Sequence, residues 1–107
     1  MLETSLFEKK IMFKDIKAKH GDFRILTLDM YISRYLEKYG EWSEYEINLY
    51  DQIVKKSFVV VEIGAHIGSH TIPLAKLANT VICYEPQRLI YQTLCHNIIK
   101  NNDDYNY

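Results

Sequence analysis

A run of β-branched residues that leads into a glycine-containing loop limits most strongly how this chain can fold. Residues 57–64 read SFVVVEIG, an apolar run without the alternation typical of a strand with one solvent-exposed face. Such a run predicts a strand covered on both faces, as in a parallel sheet. Residues 69–79 (SHTIPLAKLAN) predict a helix with Pro73 near its start, and residues 80–85 (TVICYE) predict a second buried strand. Strand, helix and strand in this order predict a βαβ unit.

The residues before this unit predict a β-hairpin and a short helix. Apolar residues alternate with other residues on both sides of the turn signal Lys19-His20-Gly21-Asp22, in which Gly21 can adopt a positive φ. The alternating positions are Ile11, Phe13, Phe23, Ile25 and Thr27. Residues 30–40 (MYISRYLEKYG) predict a short helix that is capped at Gly40.

Two further helices are predicted. Ser43 is a favourable N-cap residue, and Glu46 three positions later completes the pattern of a capping box. Residues 88–100 predict a helix with apolar residues at intervals of four: Ile90, Leu94 and Ile98. The 107 residues are therefore expected to form one α/β domain, with a hairpin in residues 1–29, helices in residues 30–56 and a βαβα core in residues 57–107.

Composition and charge argue against several classes of protein. Thirteen basic and fourteen acidic side chains give a formal net charge of −1, which does not favour a nucleic-acid partner. No apolar run approaches the roughly 18 residues of a membrane helix, and the N-terminal residues lack the apolar segment of a signal peptide. A soluble cytoplasmic protein with no membrane partner is therefore expected, with Cys83 and Cys95 as buried, reduced thiols.

The loop after the first core strand carries residues typical of a ligand site. Gly64 and Gly68 allow a tight turn and let a ligand approach the backbone N–H groups, beside the N-terminus of the next helix. Ligands of open α/β sheets bind at this edge, beyond the carboxyl ends of the strands. Glu85 ends the second strand, 21 residues after Gly64. A carboxylate there can accept hydrogen bonds from the ribose hydroxyls of an adenosine-containing ligand.

Other ligand motifs match the loop less well. A dinucleotide fingerprint that starts at Gly64 would need glycines where the chain has His66 and Ser69, and no Gly-Lys-Ser/Thr follows as in a P-loop. His66 and His70 are four residues apart, but Gly68 lies between them and no third ligand is evident. We therefore expect no metal site.

The remaining pattern, E-x-G-x-x-x-G after a strand with an acid at the end of the next strand, resembles the class I S-adenosylmethionine-dependent methyltransferases. The segment VVEIGAHIGSHTIPLAK (60–76), followed by VICYEP (81–86) and an asparagine-rich helix, looks like the FkbM type of that family. The resemblance covers about residues 40–102. It implies a truncated Rossmann-like methyltransferase fold, S-adenosyl-L-methionine as cofactor, and O-methylation of a small-molecule acceptor such as a metabolite or sugar.

The resemblance also implies a set of cofactor-binding residues. Glu62 would anchor the loop and the amino-acid end of the cofactor, while Glu85 would hold the ribose hydroxyls. Gly64 and Gly68 would pass beneath the methionine and ribose parts. The other positions of this expected site are Ala65, His66, Ile67 and Gln87. His66 departs from the family pattern, which usually has asparagine at this position.

Methyltransferases of this kind normally take their acceptor-binding and catalytic residues from positions after the third and fourth core strands, and this sequence does not reach them. No catalytic residue is therefore assigned. The chain is expected to be a fragment, a truncated product, or a homo-oligomer in which another copy covers an open sheet edge. Two other functions stay open: a non-catalytic module that binds a nucleoside-type ligand or a protein, and a nicotinamide-dependent oxidoreductase.

Overall fold

Helices and strands follow one another in a mixed α/β arrangement in the computed structural model, which describes residues 13–102. The elements are β1 (Phe13–Ala18), β2 (Gly21–Leu26), α1 (Ile32–Tyr39), α2 (Glu44–Ile53), β3 (Val59–Ile63), α3 (Thr71–Leu77), β4 (Thr80–Tyr84) and α4 (Arg88–Asn101). Strands β1 and β2 form one antiparallel sheet, and β3 and β4 form one parallel sheet. The alternating position Ile11 lies outside the described residues.

The predicted βαβ unit is present as β3, α3 and β4. Val59 pairs with Thr80 and Ile63 pairs with Tyr84, so the carboxyl ends of the two strands meet at the same edge of the sheet. Pro73 is the third residue of α3, within the first turn, where the N–H that proline lacks would have no helical partner. This unit sets the position of the glycine loop, which connects β3 to α3.

The N-terminal hairpin buries one strand more deeply than the other. β1 and β2 pair from Phe13 with Leu26 to Ala18 with Gly21, across a turn at residues 19–20. In β2, Phe23 and Ile25 are almost completely buried, whereas most of β1 is exposed. The core lies between β2, α1, α3, α4 and the glycine loop, and its buried members are Phe23, Ile25, Leu26, Leu36, Ile67 and Ile72.

Two asparagine side chains of α4 pair with the outer edge of β2. Asn97 Oδ1 accepts a hydrogen bond from Arg24 N (2.7 Å), and its Nδ2 donates to Arg24 O (3.0 Å). Asn101 makes the same pair of bonds with Asp22, at 3.0 and 2.8 Å. Four helical residues rise about 6 Å and two strand residues advance about 6.7 Å. The two spacings match, so the amides bond to β2 as an adjacent strand would.

Glycine at position 21 is explained by this contact between α4 and β2. Gly21 is the first residue of β2, and a Cβ atom at this position would overlap the side chain of Asn101. The asparagine clamp, defined as Asn97 and Asn101 bonded to β2, therefore needs a residue without a side chain at Gly21.

Of two expectations about the ends of helices, one is correct and one is wrong. Gly40 ends α1 in the left-handed conformation, with φ of 72°, as expected. The capping box is wrong: Ser43 precedes α2, but its side chain makes no capping hydrogen bond. Glu46 has its carboxylate 3.5 Å from His70 Nδ1 instead. A tertiary contact with the segment before α3 has replaced the local cap.

The expectation that β3 and β4 are covered on both faces is also wrong for the described residues. Alternate side chains of the two strands are exposed, to 58% at Val61 and 81% at Ile63, and no element within residues 13–102 covers them. The open sheet face, as we call it, consists of Val59, Val61, Ile63, Ile82 and Tyr84, none of which carries a charge. Separately, no helix in the described part of the chain is long and apolar enough to cross a membrane.

We expect purified protein to self-associate through the open sheet face, because a second copy is the only polypeptide in the sample that can remove this apolar surface from water. Val61→Lys should lower the association constant at least tenfold. Analytical ultracentrifugation over a concentration series measures this. Leu49→Lys is the matched control, since Leu49 is 51% exposed but lies on α2. A wild-type chain that stays monomeric throughout, or an equal effect of both substitutions, would contradict the prediction.

Asn97→Leu should lower the free energy of unfolding by about 3 kcal/mol or more, because the change keeps the side-chain volume but leaves buried backbone groups of β2 and the glycine loop without partners. Urea denaturation followed by circular dichroism measures the loss. Gln92→Leu, at an exposed position of the same helix, is the control and should change stability by less than about 0.5 kcal/mol. A loss below about 1 kcal/mol for Asn97→Leu would show that the clamp is dispensable.

Candidate functional site

The glycine loop, residues 64–68 between β3 and α3, turns through left-handed backbone at three positions. The φ angles are 80° at Gly64, 54° at His66 and 98° at Gly68. Gly64 N and Ala65 N both donate to Tyr84 O, at 2.9 and 3.0 Å, which ties the loop to the end of β4. A Cβ atom on Gly64 would have no other atom within 4 Å. The space beside Gly64 is therefore open to a ligand.

Glu85 lies against the glycine loop, as its spacing from Gly64 led us to expect. Its Oε1 accepts a hydrogen bond from His66 N (2.9 Å), and its Oε2 accepts one from Gln87 N (3.1 Å). A carboxylate offers about four acceptor positions, so each oxygen keeps one for a ligand hydroxyl. The two backbone bonds fix the direction of the carboxylate without using its whole capacity.

Glu62 is a partly buried acid close to the start of the glycine loop. One of its oxygens accepts a hydrogen bond from the Thr71 hydroxyl at 2.5 Å. Burial raises the pKa of Glu62, and the bond from Thr71 and the proximity of His70 offset only part of that effect. An ionised carboxylate in such surroundings is stabilised by a nearby positive charge. Within residues 13–102, neither Glu62 nor Glu85 forms a salt bridge with a lysine or arginine.

His66 combines two unfavourable features that mark the loop as specialised. A non-glycine residue in left-handed backbone costs about 1–2 kcal/mol, and His66 Nδ1 is buried without a hydrogen-bond partner in the described structure. Its other ring nitrogen, Nε2, lies 3.8 Å from Asp29 Oδ2. Local strain of this kind is often found at binding sites, which supports a functional role for the loop.

Asp29 is a site residue that the sequence did not indicate. It follows β2 and accepts hydrogen bonds from Ser33 N (2.7 Å) and Tyr31 N (3.1 Å). Burial acts to raise the pKa of Asp29, but these bonds, a further bond from the Ser33 side chain and the proximity of His66 together outweigh it, and the pKa lies below its ordinary value. Asp29 is 37 residues before His66, and neither periodicity nor a motif connects the two positions.

Three members of the expected site face the interior. Ala65 and Ile67 are buried, and Ile67 belongs to the hydrophobic core. A Cβ atom on Gly68 would lie 3.1 Å from a methyl group of Leu94, so this glycine allows close packing against α4. Their side-chain positions are therefore turned away from a ligand. The members at the open edge are Glu62, Gly64, His66, Glu85 and Gln87.

A cavity of about 350 Å³ lies beside the glycine loop. Its lining residues come from the end of β2 and the loop after it, from the glycine loop, and from the start of α4: Leu26, Leu28, Asp29, His66, Gln87, Leu89 and Ile90. Only His66 and Gln87 of the expected cofactor residues take part.

Two further features concern the side chains that could bind a metal ion and the two cysteines. In the described part of the chain, no group of three or more His, Cys, Asp or Glu side chains is arranged to hold a metal ion. Cys83 and Cys95 are free and half-buried, and burial raises the pKa of the Cys83 thiol, so it stays protonated at neutral pH.

Comparison of the chain with protein-family models, with curated proteins and with solved structures found no match. A fold alone does not determine a function. The chemistry of the glycine loop and its acids therefore carries the functional argument.

The raised pKa of Glu62 predicts a pH dependence of stability. A carboxyl group whose folded pKa is raised contributes stability fully below its unfolded pKa, near 4.3, and loses it as the pH rises through the folded pKa. Glu62→Gln resembles the protonated acid and has no such loss. The variant should therefore gain stability relative to wild type as the pH rises above about 4.3, and the gain should stop growing once Glu62 is ionised in the folded protein.

Urea denaturation at several pH values measures this difference. Glu41→Gln is the control, because Glu41 precedes α2 and has no contact with the glycine loop among the bonds described. If the Glu62→Gln difference stayed constant over the whole pH range, the buried-acid interpretation would be wrong.

Proposed function

We propose that the chain binds S-adenosyl-L-methionine at the carboxyl edge of β3 and β4, and that it is the cofactor-binding part of a Rossmann-like, FkbM-type methyltransferase. The observation that carries the proposal is the bond between the Glu85 carboxylate and the backbone of the glycine loop, at the ends of two adjacent parallel strands. That arrangement puts an acceptor for ribose hydroxyls near the open space at Gly64, at the edge where α/β sheets bind ligands.

Charge supports S-adenosylmethionine over a dinucleotide. Glu62, Glu85 and Asp29 surround the glycine loop, and no lysine or arginine within residues 13–102 forms a salt bridge with any of them. The pyrophosphate of a nicotinamide dinucleotide would meet these carboxylates as like charges. S-adenosylmethionine carries a sulfonium, an ammonium and one carboxylate group, so it brings a net positive charge to the same place.

Three residues at the open edge suit separate parts of this ligand. The free space beside Gly64 accommodates the methionine chain, and Glu62, two residues before Gly64, is the acid for its ammonium group. Glu85 keeps acceptor positions for the ribose hydroxyls. When bound, S-adenosylmethionine supplies an electrophilic methyl group on sulfur, so the protein mainly has to orient an acceptor. The proposed reaction is O-methylation of a small molecule.

Calorimetric titration distinguishes this proposal from the alternatives. We expect heat of binding with S-adenosylmethionine and S-adenosylhomocysteine and none with NAD. Binding of NAD alone would support an oxidoreductase and overturn the proposal. Absence of heat with all three ligands would favour a non-catalytic module derived from the same fold.

Two glycine variants test where the ligand binds. Gly64→Val should weaken S-adenosylhomocysteine binding at least a hundredfold, because the new side chain occupies the open space beside the loop. Gly40→Val is the matched control: Gly40 has a similar φ of 72° and similarly open surroundings, but it caps α1. Both variants carry the same backbone strain, so they should lose similar stability. Equal affinity of the two variants for the ligand would contradict the placement.

A further inference from the structure

The cavity beside the glycine loop is adjacent to the proposed cofactor site but separate from its main residues. Glu62, Gly64 and Glu85 do not line it. His66 and Gln87 form the boundary between the two, because their backbone N–H groups bond to Glu85 while both residues line the cavity. A ligand in the cavity would therefore lie next to a cofactor held by Glu85.

The walls of the cavity are mainly aliphatic. Four of its seven lining residues are leucine or isoleucine: Leu26, Leu28, Leu89 and Ile90. A sugar placed here would turn several hydroxyl groups toward side chains that cannot bond to them, and each unsatisfied group costs about 1–3 kcal/mol. The lining therefore favours a ligand that is apolar over most of its surface.

The polar part of the lining accepts hydrogen bonds and carries negative charge. Asp29 is partly buried and accepts bonds from the backbone N–H groups of Tyr31 and Ser33 and from the Ser33 side chain, which leaves about one of its roughly four acceptor positions for a ligand. Within residues 13–102, the basic side chain that approaches it within 4 Å is the His66 ring, at 3.8 Å, and this contact is an ion pair only when the ring is protonated. An anionic ligand would be repelled by this carboxylate, whereas a hydroxyl can donate to it.

We propose that this cavity is the acceptor subsite, and that it takes a small, mostly apolar molecule with one hydroxyl group rather than a sugar. The role of the cavity as acceptor subsite rests on the proposed methyltransferase function. Binding of this ligand class to the cavity does not depend on that function. The volume of about 350 Å³ lies at the lower end of the range for small-molecule sites, about 300–1,000 Å³.

Three simple probes of one shape test the ligand class: benzyl alcohol, toluene and benzoate. In ligand-observed NMR titrations of the full chain, benzyl alcohol should bind at least fivefold more tightly than toluene, and benzoate should not bind. Equal binding of toluene and benzyl alcohol would show that Asp29 and His66 do not recognise the hydroxyl. Preferred binding of benzoate, or no binding of any probe, would likewise overturn the proposal.

A substitution at the rim tests the location. Leu28 lines the cavity but is 58% exposed, so Leu28→Trp can fill the space with little risk to folding. It should weaken benzyl alcohol binding at least tenfold. Leu49→Trp, at a 51% exposed position of α2, should leave the affinity unchanged. If both variants bind like wild type, the probe binds elsewhere.

Asp29→Asn tests which side chain recognises the hydroxyl group. It should reduce the preference for benzyl alcohol over toluene, in a variant whose thermal midpoint shows a folded protein.

Competition with S-adenosylhomocysteine separates failure of this inference from failure of the proposed function. Benzyl alcohol should bind with unchanged or higher affinity when the protein is saturated with S-adenosylhomocysteine. Mutual exclusion would show that the cavity is part of the cofactor site, which overturns the acceptor role. If S-adenosylhomocysteine fails to bind while benzyl alcohol binds as described, the methyltransferase proposal fails and the ligand class of the cavity stands.

Discussion

The pairing of two asparagine amides with the outer edge of β2 is the interaction on which the rest of this structure depends. Buried backbone N–H and C=O groups must find partners, and Asn97 and Asn101 supply them along β2 from a helix. The Asn97 amide also donates to Ile67 O at 2.8 Å. One buried side chain thereby fixes both the hairpin and the glycine loop, and with them the cavity that lies between.

The two sheets differ in how their surfaces are completed. The hairpin edge is closed by the asparagine clamp and, at its far end, by a bond from Leu26 N to the Ser33 hydroxyl. The parallel sheet has helices on one side, while its open sheet face remains exposed in the described structure. The candidate site is therefore positioned by contacts with α4 and the hairpin. Its acids are held by backbone N–H groups and a hydroxyl, which leaves their charge available to a cationic ligand.

Local patterns predicted much of the fold, because they report conformational preferences of short segments. The βαβ unit, the hairpin and the end of α1 at Gly40 follow from hydrophobic periodicity and glycine geometry. The meeting of Glu85 with the glycine loop follows from parallel pairing. The expectation that β3 is covered on both faces was wrong. An apolar run shows that a strand favours burial, but it does not show which elements surround the strand. The position of Asp29 beside His66 joins distant segments, and no local preference encodes such a contact.

The asparagine clamp also determines when the hairpin can be completed. Its bonds join residues 73 and 79 positions apart, so β2 is synthesised long before α4. A nascent chain thus holds a strand edge with unpaired backbone groups until nearly the whole described segment has left the ribosome, and such edges are prone to pair with other chains. Fast synthesis of α4, or a chaperone that shields β2 in the interval, would raise the yield of folded protein.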